Sequence, residues 1–479
     1  MKKLILFAAA FLLFVNSRAE TFAPGPAADN EPLIRNTRLD GYLGIWYFNE
    51  KLDNEYVYKY SGGLGTYCAK HQPFAVFAPA VNKTFFCYGG RYKGRNSLVH
   101  AVSYFDHYTG QVPRPTLLLD KGTTDAHDNP VISLDREGYI WIFSSSHGTG
   151  RPSYVSRSRK PYDIDEFELK VTTNFSYPQP WFSGGKGFFF FHTRYNFIEG
   201  CDRTLCFITS PDGISWSEPK AVAAMERGHY QVSGIIGNKV GTAFNVHPRP
   251  EGLNWRTDLY YLESTDFGRT WQTVDGRPVE IPLRNRGDDA LVYDAGGLNV
   301  YLKDINFDAS GNPVILVLTS RGYASGPDNG PRTWTILHWN GKKWRASEAF
   351  LSDNNYDMGS LYLEGGTWVI VAPSGTGPQP YNPGGEVQMW ESRDQGINWN
   401  KVRDMTSDSP RNHTFIRRPV GAHPDFYAFW ADGHGRMPSE SRLYFANRKG
   451  EVFQLPVRMD ADFEKPSRVL PDVSRRTIP

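Results

Sequence analysis

An all-β fold, a seven-bladed β-propeller of four-stranded antiparallel blades, is predicted by three observations. One pattern recurs seven times along the chain, residue usage favours short strands and tight turns, and no convincing amphipathic helical run is present. Aromatic residues make up 14% of the 479, with 13 Trp and 26 Tyr, while 46 Gly and 33 Pro supply turns.

Each copy has a polar residue or histidine, an apolar strand, a Gly/Asn/Asp turn, a second apolar or aromatic strand, and a polar or Gly-rich end. The copies begin at Lys70, Ala126, Tyr177, His229, Lys303, Asp357 and Asn412. Their starts lie roughly 50 to 55 residues apart, with one longer interval before Lys303, and that period is in the propeller range. Repetition overrides a length prior of about 150 residues per domain, so residues 20–479 are expected to form one domain. A second signal lies between the hairpins. Ser264 to Trp271 and Ser392 to Trp399 both fit S-x-D-x-G-x-[TN]-W, and Ser210 to Trp216 is a shortened copy. It resembles the Asp-box of sialidase-type repeats, a turn whose Asp binds backbone amides and whose Trp packs between blades. It is read as structural.

The amino terminus carries Lys2 and Lys3, an apolar run from Leu4 to Val15, and the small-x-small site Ser17-Arg18-Ala19. That is the anatomy of a secretory signal peptide, too short for a membrane span. Residues 1–19 are therefore expected to be removed, and the mature protein to be secreted or periplasmic, monomeric and free of membrane. Four cysteines fall in two close pairs, Cys68 with Cys87 and Cys201 with Cys206, expected to form disulfides in an exported chain. Lys and Arg number 53 against 51 Asp and Glu. This near balance argues against a nucleic-acid binder, while an acidic polysaccharide needs only a local basic pocket.

An antiparallel hairpin returns to its starting side, so both ends of every repeat face one end of the propeller. Those ends carry Lys70 and His71, then His127 and His147, then Tyr177, His192, Arg194 and Tyr195. His229, Tyr230, His247 and Arg249 follow, then Lys303 and Arg321, and finally His413 and His434. Eight of the 12 histidines thus fall on one rim. Paired carboxylates, which glycosidases of the usual kind need, do not recur at both ends of one blade. Neither H-x-H nor HExxH spacing marks a zinc centre; no cofactor is required, and a structural calcium or zinc ion is left open. Proton abstraction beside a carboxylate suits the set better. Arg or protonated His neutralises a uronate, and His and Tyr serve as base and acid.

The His-Asp-Asn-Pro entry at His127, the His147 exit and the HYQ…VHPR repeat resemble the bacterial-neuraminidase-repeat polysaccharide lyases, the seven-bladed ulvan lyases that cleave rhamnose–glucuronate linkages. The resemblance implies β-elimination by paired histidines, a tyrosine and an arginine. Carried onto this chain it gives His127 and His147 as the histidine pair, Tyr230 and His127 as base and acid in an order left open, and Arg249 as carboxylate neutraliser, with Tyr195 and Arg194 also well placed for the tyrosine and arginine. His71, Asn129, Tyr177, His192, Arg194, Tyr195, His229, His247 and Arg321 are expected to bind substrate. The alternatives are a sialidase-like or histidine-dependent glycoside hydrolase on the same fold, or a carbohydrate-binding propeller without catalysis.

Overall fold

The computed structural model describes residues 33–64, 71–91, 97–287 and 290–469. Seven antiparallel sheets follow one another in chain order, each laid out from its innermost strand outwards. Blade 1 comprises Ala75–Ala78, Lys83–Arg91, Leu98–Asp106 and Thr116–Asp120; blade 2 comprises Pro130–Leu134, Ile140–Ser144, Ser153–Ser158 and Phe167–Thr173. Blade 3 comprises Ser176–Ser183, Gly187–Ile198, Cys201–Ser210 and Lys220–Ala223; blade 4 comprises Gln231–Ile236, Lys239–Val246, Thr257–Ser264 and Trp271–Gln272. Blade 5 holds Asn299–Phe307, Pro313–Ser320, Arg332–Trp339 and Trp344–Ser352; blade 6 holds Ser360–Glu364, Thr367–Gly375, Glu386–Ser392 and Asn400–Asp404. Blade 7 holds Asn412–Arg417, Ala428–Gly433, Leu443–Ala446 and Val452–Gln454. The predicted fold is the observed one, and the seven sequence repeats are the two inner strands of the seven blades. The long interval before Lys303 is filled by Pro278–Val279 and Leu291–Tyr293, which extend blade 4.

Burial explains the strand composition. Pro313–Ser320 reads PVILVLTS and every residue is buried, because a second strand is covered on both faces by neighbouring blades. The outermost Asn400–Asp404 is exposed at every residue and polar at all but Val402. Continuous apolar runs inside and polar strands outside are what two-sided and one-sided burial select. The ring closes where the chain beyond blade 7's inner strand runs beside that of blade 1. Phe77 N–H donates to Val420 O at 3.0 Å and Val420 N–H to Ala75 O at 2.9 Å.

The three Asp-boxes occupy the turns between third and fourth strands of blades 3, 4 and 6. Asp266 Oδ1 accepts the amides of Arg269 and Thr270 at 3.0 and 2.9 Å, and the Ser264 hydroxyl accepts that of Gly268 at 2.7 Å. Although partial burial opposes its charge, these bonds hold the Asp266 carboxyl down at about 2. Gly268 has φ +85°, and a Cβ there would lie 2.7 Å from the Phe207 ring of blade 3. Gly268→Ala is expected to destabilise the fold by about 2–5 kcal/mol, combining left-handed strain with overpacking. A denaturant titration reads this as a lower midpoint with an unchanged slope.

One disulfide is not formed: Cys201 and Cys206 are buried free thiols. Both lie on the strand Cys201–Ser210. Five residues apart they point to opposite faces, about 16 Å from one another along the strand, well beyond the reach of a disulfide. Cys87 is buried in blade 1, and its expected partner Cys68 lies outside the described residues, as does the segment 1–19. Among the described residues no helix is long and apolar enough to cross a membrane.

Candidate active site

The entry of blade 2 builds the centre of the site. Asp125 caps a single 3-10 turn, Ala126–Asp128, by accepting the His127 backbone N–H at 3.0 Å. Asn129 closes it, its side-chain amide donating to Ala126 O at 2.8 Å, and Pro130 starts the inner strand. The same Asp125 carboxylate holds two imidazoles. His127 Nδ1 lies 2.5 Å from Oδ1 and His147 Nδ1 2.8 Å from Oδ2. The rings stack at 3.8 Å with an interplanar angle of 14°.

Burial works against charge on Asp125, but His127 and His147 outweigh it and hold the carboxyl well below its ordinary range. An ionised carboxylate only accepts, so both Nδ1 atoms donate to it, and Nε2 is the lone-pair nitrogen wherever the ring is neutral. Burial, reinforced by His147 and opposed by Asp125, lowers the His127 pKa and favours its neutral form. Beneath the pair, fully buried Asp128 accepts Arg151 Nε and Nη2 at 2.9 and 2.8 Å and the His147 amide at 2.8 Å. This fork fixes the exit loop of blade 2, a paired buried charge of the kind that orients more than it stabilises.

Tyrosines from blades 3 and 4 face the histidines. The Tyr177 hydroxyl lies 3.1 Å from that of Tyr195 and 3.5 Å from that of Tyr230. Tyr177 meets His127 edge-on at 5.9 Å, and Tyr195 meets His147 at 5.8 Å. Across the blade 3 hairpin Tyr195 pairs in register with Arg203, which puts both side chains on one face. The Arg203 guanidinium stands 5.1 Å from the Tyr195 ring centre. Burial opposes its charge, yet Tyr230, Tyr195 and Tyr177 together keep its pKa above the ordinary value. A second arginine, Arg256, lies 4.8 Å from the Tyr230 ring centre and 4.5 Å from that of Tyr301.

Of the residues expected from sequence, His127, His147, Tyr177, Tyr195 and Tyr230 come together here. His71 joins them from below, its Nε2 donating to His127 O at 2.9 Å, while burial drives its pKa to about 3. His247 packs edge-on to Tyr230 at 4.6 Å. Others are placed elsewhere. Buried His229 has both ring nitrogens on backbone, accepting Met225 N–H at 2.9 Å and donating to Asn245 O at 2.9 Å. His192 and Arg194, two apart on one strand and so on one face, line a cleft of about 220 Å³ between blades 2 and 3 together with Phe175 and Trp216. Arg249 is exposed and donates to Gly200 O, and its backbone N–H donates to Glu226 at 2.6 Å. Arg321 is exposed at the exit of blade 5, Asn129 serves the turn at Ala126, and Lys70 lies outside the described residues. Buried His413 accepts the Trp430 indole N–H at 2.9 Å, and His434 O accepts that of Trp46 at 2.9 Å.

Sequence reasoning passed over Asp125, Arg151, Arg203 and Arg256, and also a two-stranded hairpin, Tyr47–Lys51 with Tyr58–Gly62, that precedes the first repeat. It brings Tyr47 edge-on to His127 at 5.8 Å and Tyr60 to Tyr356 at 4.6 Å. A Cβ at Gly62 would strike the Phe415 ring, so only glycine lets the hairpin seat against blade 7. Asp125, His127 and His147 are also one of the groups whose ligand atoms converge within 4.8 Å. Their hydrogen bonds account for that convergence.

A family model described as BNR repeat-containing family member matches residues 99–350, more than half of the chain. The chain belongs to this family. Within and around it, the chain is 24% identical over 284 residues to the ulvan lyase of Alteromonas sp. (strain LOR), covering 52% of this chain and 57% of that enzyme. It is 24% identical over 354 residues to the ulvan lyase of Nonlabens ulvanivorans, covering 64% and 70%. The chain thus spans little more than half of the Alteromonas relative. Among solved structures, the polysaccharide lyase PL25 ulvan lyase superposes with a TM-score of 0.66 at 16% identity, over 86% of this chain and 96% of that one. Polysaccharide lyase Uly1 gives 0.59 at 12% identity, over 88% and 98%. At these identities the superpositions speak for the shared propeller.

Proposed function

We propose that the protein is an exported polysaccharide lyase that cleaves a uronate-containing, ulvan-like polysaccharide by β-elimination. The observation that carries the reading is the opposition of two Asp125-bound imidazoles to a tyrosine cluster backed by Arg203. Three relatives named as ulvan lyases support the substrate class, as does a solved PL25 ulvan lyase bound to -[GlcA(1-4)Rha3S]-. The signal-peptide pattern of residues 1–19 suits an enzyme whose substrate is too large to enter a cell.

In this reading Arg203 pairs with the uronate carboxylate, so that charge building up on it as C5 loses its proton is neutralised. His127 Nε2 takes the C5 proton. The C5–H electron pair becomes the C4–C5 double bond, the C4–O4 bond breaks, and Tyr195 gives the departing oxygen its proton. The cycle closes when His127 gives up the proton it gained and Tyr195 regains one, the Tyr177 hydroxyl at 3.1 Å holding the Tyr195 oxygen in place meanwhile. His147 holds Asp125 in place and lines the sugar's approach, and its side chain is 34% exposed. Arg203 takes the role that the sequence assigned to Arg249, because it stands against the tyrosines.

The products separate this reading from hydrolysis. With a glucuronate–rhamnose polysaccharide, ultraviolet absorbance of an unsaturated uronate is expected to rise in step with new reducing ends. Reducing ends appearing without that absorbance would make the enzyme a hydrolase. Neither signal, with binding intact, would make it a carbohydrate-binding propeller.

A further inference from the structure

At the opposite end of the propeller, on the seam where the ring closes, three ligand-type side chains converge. His107 lies in the turn between the third and fourth strands of blade 1; His423 and Asp425 lie in the turn between the first and second strands of blade 7. Hairpins of these two kinds share the end away from His127 and His147, since those histidines sit at the entry to a first strand and the exit of a second.

The chemistry of the cluster is one-sided. His107, with a side chain 1% exposed, has Nε2 2.8 Å from the Thr84 hydroxyl. Its buried Nδ1 has no hydrogen-bond partner and faces Asp425 Oδ2 at 3.9 Å, too far for a hydrogen bond. His423 Nδ1 accepts the Asp425 backbone N–H at 3.1 Å, which makes it the unprotonated nitrogen of that ring, and it lies 3.7 Å from the same carboxylate oxygen. The two rings approach to 3.7 Å between centroids. Burial, with His423 beside it, keeps His107 neutral by lowering its pKa to about 4. A buried nitrogen without a partner costs about 1–3 kcal/mol, and here it is turned towards a carboxylate. A cation between the three groups would satisfy His107 Nδ1 and the carboxylate, with His423 Nδ1 exchanging its amide bond for the ion.

We infer that His107, His423 and Asp425 form a binding site for a divalent transition-metal ion of the zinc class, which staples blade 7 to blade 1. Two imidazoles and one carboxylate select such an ion over calcium or magnesium, which prefer oxygen ligands throughout. Three protein ligands leave a fourth, tetrahedral position for water. The ligand atoms lie within 4.8 Å of one another. A tetrahedral ion with bonds of about 2.0–2.1 Å needs them closer, and the half-exposed 423–425 turn is the part that moves, giving up the Asp425 amide bond to His423. The staple adds to the Phe77–Val420 and Val420–Ala75 bonds across the same seam. It is independent of the catalytic reading.

The test uses the full chain, stripped with EDTA and titrated with Zn²⁺ against a chromophoric chelator. It is run in a His147→Ala background that removes the other histidine–aspartate group. One equivalent of Zn²⁺ is expected to bind and to raise the thermal midpoint. His423→Ala and Asp425→Asn, added singly, should each weaken binding at least tenfold and abolish that rise. Asp425 is 62% exposed, so its substitution reads the site even if replacing His423 loosens the turn. No uptake in the His147→Ala background, or uptake unchanged by both further substitutions, overturns the proposal.

Discussion

His127→Ala is expected to lower kcat/KM on the polysaccharide by about 10²–10⁴-fold, the usual worth of a positioned general base, while the chain stays folded. Asp125 keeps His147 Nδ1 at 2.8 Å, and Asp128 keeps its fork to Arg151, so the charges around the vacated position remain paired. The inner strand that follows is anchored by its pairing with Ile140–Ser144 and does not depend on the imidazole. A pH profile sharpens the result. Burial first, then His147, lowers the His127 pKa below 6.5. The base form therefore persists to lower pH than in a free histidine, and the acidic limb of kcat/KM for the parent enzyme should fall below 6.5. Steady-state rates from the ultraviolet signal check both points, alongside a thermal melt of the variant. A collapse of the melt would make His127 a packing residue, and an unchanged rate would move the base elsewhere.

What the sequence disclosed and what it withheld follow from how far apart the interacting parts lie. His127 and His147 were legible because one hairpin returns the chain to its starting side, so the two ends of a 22-residue repeat meet by local geometry alone. The Asp-box turns were legible for the same reason, since Asp266 binds amides three and four residues on. A position near the rim does not say which way a side chain turns. His192 faces the cleft between blades 2 and 3 because strand residues alternate between faces, and His229, two residues before the blade 4 inner strand, has both ring nitrogens on backbone. Arg203 escaped notice because its value depends on register: only the pairing of Gly187–Ile198 with Cys201–Ser210 sets it opposite Tyr195. The same strand explains the missed cysteine chemistry. Cys201 and Cys206 look like hairpin brackets in sequence, yet one uninterrupted strand contains both. Tyr47 and Tyr60 belong to no repeat at all, and only packing against blades far along the chain brings them to the site. Asn382 of blade 6, for example, holds that hairpin through Tyr56 O and Tyr58 O at 2.9 and 3.2 Å.

Arg203→Ala is expected to cost about 10²–10³-fold in kcat, the range seen on removing a group that stabilises charge developing in a transition state, and Arg249→Ala no more than a few-fold. The contrast decides which arginine meets the uronate. Arg203 stands on the face of Tyr195, within the influence of Tyr177 and Tyr230, and is half-buried, so its charge acts through a poorly solvated medium. Arg249 is exposed and already engaged with Gly200 O, where water weakens any pull on a substrate. Arg203→Lys should restore little, because an ammonium can neither lie flat against Tyr195 nor present two parallel N–H groups to a carboxylate. A purely structural Arg203 would instead show a lowered melting point with kcat intact in the surviving folded fraction. If Arg249→Ala proved the more damaging change, the carboxylate would have to bind at the rim beside Gly200. His127 would then be too deep to reach C5, and His147, the exposed member of the Asp125 pair, would become the base.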